Sequence, residues 1–168
     1  MKQVYIIKKN NPKLLLFFAG WAADETPFKQ YCPQGMDYMI CYDYRTLDFD
    51  TSILEQYRQV NVVAWSMGVW AAPIALASVP KEKLLLIAFN GTITPIGDID
   101  YDYAFIGVND RIFPLENMKL NFDYMFDDDK LIVADCAHYD EPMFRFLLQD
   151  MWSMPIDDFL SHLRELDT

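Results

Sequence analysis

The chain has 168 residues, of which 14 are basic and 25 acidic, so its formal net charge is −11. A hydrophobic share of 52% is enough for a packed core and excludes a chain that is largely disordered, and the length favours one domain over residues 1–168. The negative charge argues against nucleic acid or an anionic membrane as a partner, because positive surfaces bind both.

Short apolar runs typical of strands alternate along the chain with segments of helical pattern. The predicted strands are Gln3–Lys8, Leu14–Phe18, Asp37–Tyr42, Val60–Trp65, Leu84–Phe89, Tyr103–Val108 and Lys130–Ala134. The predicted helices are Met67–Val79, Leu115–Met125, Glu141–Trp152 and Asp157–Leu166. Several strands are continuously apolar, so we expect an α/β fold with a mostly parallel central sheet and helices on both faces. The first two strands, joined by a short Asn/Pro turn, are expected to form an antiparallel edge.

The cysteines and the N-terminal segment bear on the compartment. The three cysteines, Cys32, Cys41 and Cys136, lack the paired spacing of a disulfide framework or a zinc site, so we expect buried free thiols and no bound metal. The apolar run Leu14–Ala23 follows four lysines and resembles a signal peptide. A predicted strand and a turn already precede it, however, so we interpret the run as the next strand. No run reaches the about 18 residues of a membrane helix. The sequence therefore predicts a cytoplasmic protein without a membrane partner.

A strand runs directly into Ser66, and a helical pattern begins directly after it. This context, with the small residues Ala64 and Gly68 two positions to either side, is typical of the tight turn called a nucleophile elbow. Ala64 departs from the usual glycine by one methyl group. The alternative is an ordinary strand–turn–helix unit that happens to contain a serine. We expect Ser66 to be a nucleophile.

A serine nucleophile needs a base, and the chain offers two histidines. His138 follows a late strand, where open α/β sheets place their sites, whereas His162 lies inside the last predicted helix. Asp110 follows the preceding strand and is the candidate that would orient the imidazole; Asp135 and Asp140 are alternatives closer to His138 in sequence. The order Ser66, Asp110, His138 is that of the α/β hydrolases.

An oxyanion hole needs two N–H donors. One is expected from Met67, which follows the nucleophile, and the other from Trp21 in the loop after the second strand, where Gly20 permits the backbone geometry. The rings of Trp21 and Trp65 would then line an apolar acyl pocket. Packing in the core is the alternative for both rings, above all for Trp65.

Several segments, taken together, resemble one family. They are Phe18–Trp21, Tyr42–Tyr44, Trp65–Trp70, Phe89–Thr92 with Pro95-Ile96, Gly107–Pro114 and His138-Tyr139. They are similar to BioG-type proteins, which are α/β hydrolases that cleave pimeloyl-[acyl-carrier protein] methyl ester in biotin synthesis. The resemblance implies that Ser66, Asp110 and His138 form the triad and that Trp21 and Met67 supply the oxyanion hole. We expect no cofactor.

The chain departs from that pattern in one place. Such enzymes commonly carry a helical cap before the acid loop, but only Gly91–Tyr103 intervene here, so we expect the cap to be reduced or absent. Basic residues on a cap often bind the acidic carrier protein. Arg111 and Arg145 are candidates to replace them, with weak surface ion pairs as the alternative. Dependence on the carrier protein and oligomeric state stay open.

The sequence thus predicts a serine carboxylesterase that acts on an acyl methyl ester through an acyl-enzyme, with pimeloyl-[acyl-carrier protein] methyl ester as the expected substrate. Two alternatives are left open. One is a general small-acyl esterase or thioesterase with the same triad. The other is a non-catalytic partner module, including one that associates with the methyltransferase that makes the ester.

Overall fold

A computed structural model describes residues 1–91, 101–116 and 130–155, together with residues 158 and 161. Within these residues, strands form one sheet in the order β1-β3-β2-β4-β5-β6-β7. Their bounds are β1 (Lys2–Ile7), β2 (Lys13–Phe18), β3 (Asp37–Tyr42), β4 (Gln59–Trp65), β5 (Leu84–Phe89), β6 (Tyr103–Gly107) and β7 (Leu131–Ala134). Every predicted strand is present, within one residue at either end. All neighbouring pairs are parallel except β1 and β3, so the prediction of a mostly parallel sheet is confirmed.

The predicted antiparallel edge between the first two strands is wrong in its pairing. β1 is the antiparallel edge strand, but it lies beside β3, and β2 runs parallel between β3 and β4. After its first residue β2 is buried throughout, so it needs a partner on each side for its backbone groups. The turn after β1 is held to the start of β3 instead, because Lys9 N–H and Asn11 N–H both donate to Asp37 Oδ1 at 2.9 and 3.1 Å.

Alternate strand residues build two cores, one on each face of the sheet. Leu15 and Phe17 of β2 belong to one core, and Leu14, Leu16 and Phe18 belong to the other. The first core includes Phe144 and Leu147 of helix α2 (Glu141–Leu148), and the second includes Val69, Ala71 and Ala72 of helix α1 (Gly68–Ala75). The expectation of helices on both faces is therefore confirmed.

Both described helices are shorter than predicted. α1 ends at Ala75, where the backbone leaves helical angles at Leu76, and not at Val79. The side chain of Asp140 caps α2 by accepting from Met143 N–H at 3.0 Å, and α2 gives way after Leu148 to the 3-10 helix Asp150–Ser153. Two further 3-10 helices span Thr51–Leu54 and Lys81–Lys83. The predicted helices over 115–125 and 157–166, and His162 with them, lie almost wholly outside the described residues.

In the described part of the chain, no helix combines the length and apolar character that crossing a membrane requires. Cys41 and Cys136 are buried free thiols as expected, and burial raises the pKa of Cys136 to about 12. The prediction was wrong for Cys32, which is exposed. It lies in the loop between β2 and β3, where its N–H donates to the Gln149 side chain at 3.1 Å.

Candidate active site

Three loops at the carboxyl edge of the sheet carry the residues on which the prediction depends. Ser66 directly follows β4, Asp110 follows β6, and His138 follows β7. Because these strands are parallel, their carboxyl ends meet at the same edge, so residues far apart in sequence come together there.

The turn at Ser66 has the geometry of an elbow. Ser66 adopts a φ of 54°, in the left-handed region that residues with a side chain seldom occupy. Its N–H donates to Phe89 O at 3.1 Å and its carbonyl accepts from Val69 N–H at 3.1 Å, which fixes the turn on both sides. A Cβ at Gly68 would lie 2.2 Å from Phe18 O, so this position requires glycine. Ala64, which stands where such turns usually have glycine, is fully buried.

A chain of two hydrogen bonds joins the three side chains. His138 Nε2 lies 3.0 Å from Ser66 Oγ, and His138 Nδ1 lies 2.8 Å from Asp110 Oδ2. The second carboxylate oxygen of Asp110 accepts from Ile112 N–H and Phe113 N–H at 2.8 and 2.9 Å, which fixes its orientation. The side chain of Asp110 is 1% exposed and that of His138 is 17% exposed, so the pair is shielded while the imidazole still reaches the cavity.

The two alternative acids make other contacts. Asp135 Oδ1 accepts from Asn109 Nδ2 at 2.6 Å, in the loop that precedes Asp110. Asp140 caps α2 and also accepts from Ala137 N–H at 3.4 Å. The structure therefore brings Asp110, and neither of these residues, to the His138 ring.

The two predicted oxyanion donors border the space in front of Ser66. The backbone amides of Trp21 and Met67 donate to no acceptor among the residues that the structure describes. Gly20 lets the Trp21 loop approach, because a Cβ there would lie 2.8 Å from the Trp65 ring and 3.2 Å from Ser66 Cβ.

An open cavity of about 570 Å³ surrounds Ser66. Its walls are Trp21, Trp65, Ser66, Met67, Trp70, Ile112, Phe113 and His138. Trp21 is 79% exposed at the mouth, whereas Trp65 is 8% exposed. Trp65 both packs in the core, edge-on to Phe144 with ring centroids 5.1 Å apart, and donates from Nε1 to His138 O at 2.8 Å.

The predicted arginines have different surroundings. Arg111 is exposed and lines an open groove of about 600 Å³ that it shares with His138, and it has no ion pair among the described residues. Arg145 lies instead 4.0 Å from Glu141 on its own helix and over the Tyr31 ring.

Arg45 and Phe113 are among the side chains near the site that sequence reasoning missed. Arg45 lines a neighbouring cavity of about 410 Å³ together with Trp21 and Met67, and it forms an ion pair with Asp43. Nothing in its sequence context indicates this position, which depends on the course of the loop after β3. Phe113 packs edge-on to the His138 ring at 5.2 Å, and only its place beside Asp110 could have suggested this contact.

Comparison with known proteins gives a family and a fold. Residues 1–155 match the family model described as pimeloyl-ACP methyl esterase BioG. Over 88 residues the chain is 56% identical to a Bacteroides fragilis protein named malonyl-[acyl-carrier protein] O-methyltransferase. That stretch is 51% of this chain but only 17% of the relative's length.

Two solved structures are similar to this one over most of the chain. The crystal structure of BioG from Haemophilus influenzae aligns with a TM-score of 0.73 at 22% identity, over 88% of this chain and 100% of that one. A putative hydrolase of the α/β superfamily from Xanthomonas campestris aligns with a TM-score of 0.55 at 12% identity, over 92% and 98% of the two chains. The fold is therefore that of the α/β hydrolases, as expected.

Proposed function

Because the chain belongs to the BioG family of pimeloyl-ACP methyl esterases, we propose that it hydrolyses a carboxylic methyl ester through Ser66, His138 and Asp110. The observation that carries this proposal is the continuous hydrogen-bond chain from Ser66 Oγ through His138 to Asp110, at 3.0 and 2.8 Å. A serine is a weak nucleophile at neutral pH, and an adjacent base held by a third group is the usual means of activating it.

In the first half of the reaction, Ser66 Oγ bonds to the ester carbonyl carbon while His138 Nε2 takes the hydroxyl proton. Asp110 Oδ2 then lies against the protonated ring at Nδ1 and stabilises its charge. When the tetrahedral intermediate collapses, the bond to the methoxy oxygen breaks, and that oxygen takes the proton from His138 Nε2. Methanol leaves and the acyl group stays on Ser66.

In the second half, water replaces methanol. His138 Nε2 accepts one proton from the water as its oxygen adds to the acyl carbon, and the proton returns to Ser66 Oγ when the acid leaves. In both halves the carbonyl oxygen becomes negative, and the amides of Trp21 and Met67 are the donors that we assign to it. Each such donor is typically worth about 3 kcal/mol in the transition state.

The cavity favours an acyl group with an apolar chain. Trp21, Trp70 and Ile112 offer apolar surface next to Ser66, and the space is open on the outside, so a long acyl group can extend beyond it. We propose pimeloyl-[acyl-carrier protein] methyl ester as the substrate. The carrier protein is acidic and so is this chain. Arg111 is exposed and forms no ion pair with any residue that the structure describes, which supports docking of the carrier on the His138 side of the cavity.

The test is the Ser66→Ala variant. We expect it to lose hydrolysis of short p-nitrophenyl esters and of the carrier-bound methyl ester, and to fail to complement a biotin-requiring esterase mutant, while its thermal unfolding stays near that of the wild type. Ser78→Ala removes the same hydroxyl from an exposed turn after α1 and is the matched control. Unchanged turnover in Ser66→Ala would contradict the proposal. Faster hydrolysis of thioesters than of methyl esters would favour a thioesterase instead.

A second candidate function comes from the Bacteroides fragilis relative. Because 88 residues of this chain are similar to a stretch of a much longer methyltransferase, the chain can be proposed to act as a partner module of an O-methyltransferase. Copurification with such an enzyme, undiminished in Ser66→Ala and accompanied by no esterase activity in the wild type, would favour this function. Hydrolysis of the ester without the methyltransferase would rule it out as the main role.

A further inference from the structure

Asn90 directly follows β5 at the carboxyl edge of the sheet, beside the strand that leads to Ser66. It is 1% exposed, and its φ of 44° lies in the left-handed region, which asparagine tolerates better than most residues. Its backbone N–H still donates to Phe105 O at 2.9 Å, so the β5–β6 ladder continues past the end of the strand. The backbone from which the Asn90 side chain projects is thus fixed.

Both ends of the Asn90 amide bind the loops next to it. Oδ1 accepts from Gly107 N–H at 2.7 Å, at the end of β6. Nδ2 donates to Ala137 O at 2.8 Å and lies 3.4 Å from His138 O. One side chain therefore joins the strand that leads to Asp110 to the loop that carries His138.

Phe89, the last residue of β5, and Asn90, which follows it, are linked by hydrogen bonds to all three loops of the candidate triad. Phe89 O accepts from the backbone N–H of Ser66 at 3.1 Å. Gly107, which Asn90 binds, accepts through its carbonyl from Asp110 N–H at 3.3 Å. The third loop, which carries His138, accepts from Asn90 Nδ2 directly through Ala137 O and His138 O. Among the residues that the structure describes, Asn90 is the side chain that hydrogen-bonds both to the backbone at the end of β6 and to the backbone of the His138 loop.

We propose that Asn90 is a positioning residue, which holds the His138 imidazole at hydrogen-bond distance from both Ser66 Oγ and Asp110 Oδ2. This inference rests on the proposed function, since it gives the bridge a catalytic purpose. Displacement of a reacting group by about 1 Å can lower a rate about a hundred-fold, so a bridge that fixes the backbone at His138 has a direct effect on turnover. Trp65 Nε1 binds the same carbonyl of His138 and supports it from the cavity side.

Only an amide suits this place. The site needs an acceptor for Gly107 N–H and a donor for Ala137 O within one side chain, and it needs tolerance of a positive φ. A carboxylate would face two carbonyl oxygens with like partial charge, and an apolar side chain would leave buried backbone groups without partners.

The first variant is Asn90→Gly, which removes the bridge and keeps the left-handed backbone without strain. We expect kcat for ester hydrolysis to fall about a hundred-fold, while KM stays within about two-fold because the cavity walls are unchanged. Asn61→Ala is the matched control, since Asn61 is a buried amide of β4 that contacts Met36 and lies away from the site. It is expected to lower thermal stability and to leave kcat per folded molecule unchanged.

A spectroscopic measurement separates this inference from the proposed function, because it does not depend on turnover. In the wild type, the proton between His138 Nδ1 and Asp110 Oδ2 is expected as a downfield NMR resonance, and His162→Gln leaves His138 as the one histidine in the chain. The resonance is expected to broaden or vanish in Asn90→Gly and to persist in Asn61→Ala. If the Ser66→Ala variant keeps its activity, the proposed function fails, but the resonance still tests whether Asn90 positions His138.

Two results would overturn the inference: an unchanged resonance and kcat in folded Asn90→Gly, or a loss of activity that only follows the folded fraction, as in Asn61→Ala. If Asn90→Gly does not fold, Asn90→Asp serves instead. It retains the volume and the Oδ1 acceptor and replaces the donor, and the same loss of kcat at constant KM is expected.

Discussion

Ser66 has a strained backbone in the structure. Its φ of 54° is unfavourable for a residue with a Cβ, by an amount on the order of 1–2 kcal/mol, and persists because surrounding contacts determine it. The Phe89 carbonyl, the first turn of α1 and the close approach of Gly68 to Phe18 all fix the turn. Such a turn holds the hydroxyl clear of the sheet, where a substrate carbonyl can reach it.

At the same scale, Asp110 offers a sharp test of the site. We expect Asp110→Asn to lower kcat about 10⁴-fold, because an amide favours the wrong imidazole tautomer and does not stabilise the charged ring. The fold is expected to survive, since an asparagine oxygen can still accept from Ile112 and Phe113 N–H. The measurement is kcat for a short ester together with thermal unfolding.

Asp135→Asn is the control for that prediction, because Asp135 is the neighbouring acid that sequence alone did not exclude. Full activity in Asp110→Asn with loss in Asp135→Asn would reverse the assignment of the acid.

Individual residues show where sequence reasoning reached its limit. The elbow was predictable because the need for small residues around Ser66 leaves a local pattern. The contacts of Asn90 and Arg45 were not, because they depend on how loops distant in sequence meet. Trp65 shows a third case, since its ring packs in the core and its Nε1 binds the His138 carbonyl, and no local pattern separates these roles.

At the scale of elements, the antiparallel edge depends on one buried carboxylate. Asp37 begins β3, is 0% exposed, and accepts from Lys9 N–H, from both Asn11 donors and from the Tyr57 hydroxyl. Lys8 Nζ lies 3.4 Å away. Burial by itself would raise the pKa of Asp37, but these hydrogen bonds outweigh it and hold the pKa at about 2.

This depression makes the stability of the protein depend on pH. A carboxyl whose pKa falls from 3.8 to about 2 on folding contributes about 2 kcal/mol at neutral pH. The contribution is fully present above about pH 4 and is lost as the pH falls from about 4 to about 2. We expect Asp37→Asn to be less stable at pH 7 and to lose less stability over that interval, as measured by urea unfolding at a series of pH values.

The exposed Asp48, changed to Asn, is the control for the same charge. A parallel pH dependence in the wild type and in Asp37→Asn would show that Asp37 does not stabilise the edge.

The elements themselves were largely predictable. Strands such as β2 and β5 are continuous apolar runs between turn residues, and their length and position follow from that pattern alone. Strand order was not predictable at the edge, because the pairing of β1 with β3 depends on a polar side chain, Asp37, that binds a turn distant in sequence. The end of α1 was misplaced because the helical pattern continues past Ala75 although the backbone does not.

At the scale of the whole molecule, the net charge of −11 means that the chain and the acidic carrier protein proposed as its partner repel each other. Repulsion between two acidic proteins is long-ranged and is screened by salt, so a local cation at the mouth of the site has most effect at low ionic strength. Arg111 is such a cation, exposed and without an ion pair in the described part of the chain.

We therefore expect Arg111→Glu to raise KM for the carrier-bound ester several-fold at low salt, with a smaller effect at high salt, and to leave KM for short p-nitrophenyl esters unchanged. Steady-state kinetics at two salt concentrations measure this. Arg58→Glu is the control. It makes the same charge change just before β4, at the amino ends of the parallel strands and so away from the site. An equal effect from both variants would show that only net charge matters.

Trp21, finally, links temperature to affinity. Its ring is 79% exposed at the mouth of the cavity, so in the free protein a large apolar surface is hydrated directly beside Ser66. An acyl chain that covers this ring displaces that water, and removal of apolar surface from water lowers the heat capacity of the complex. The enthalpy of binding then becomes more favourable as temperature rises. The slope of this enthalpy against temperature, which is the heat-capacity change of binding, measures how much of the ring the substrate covers.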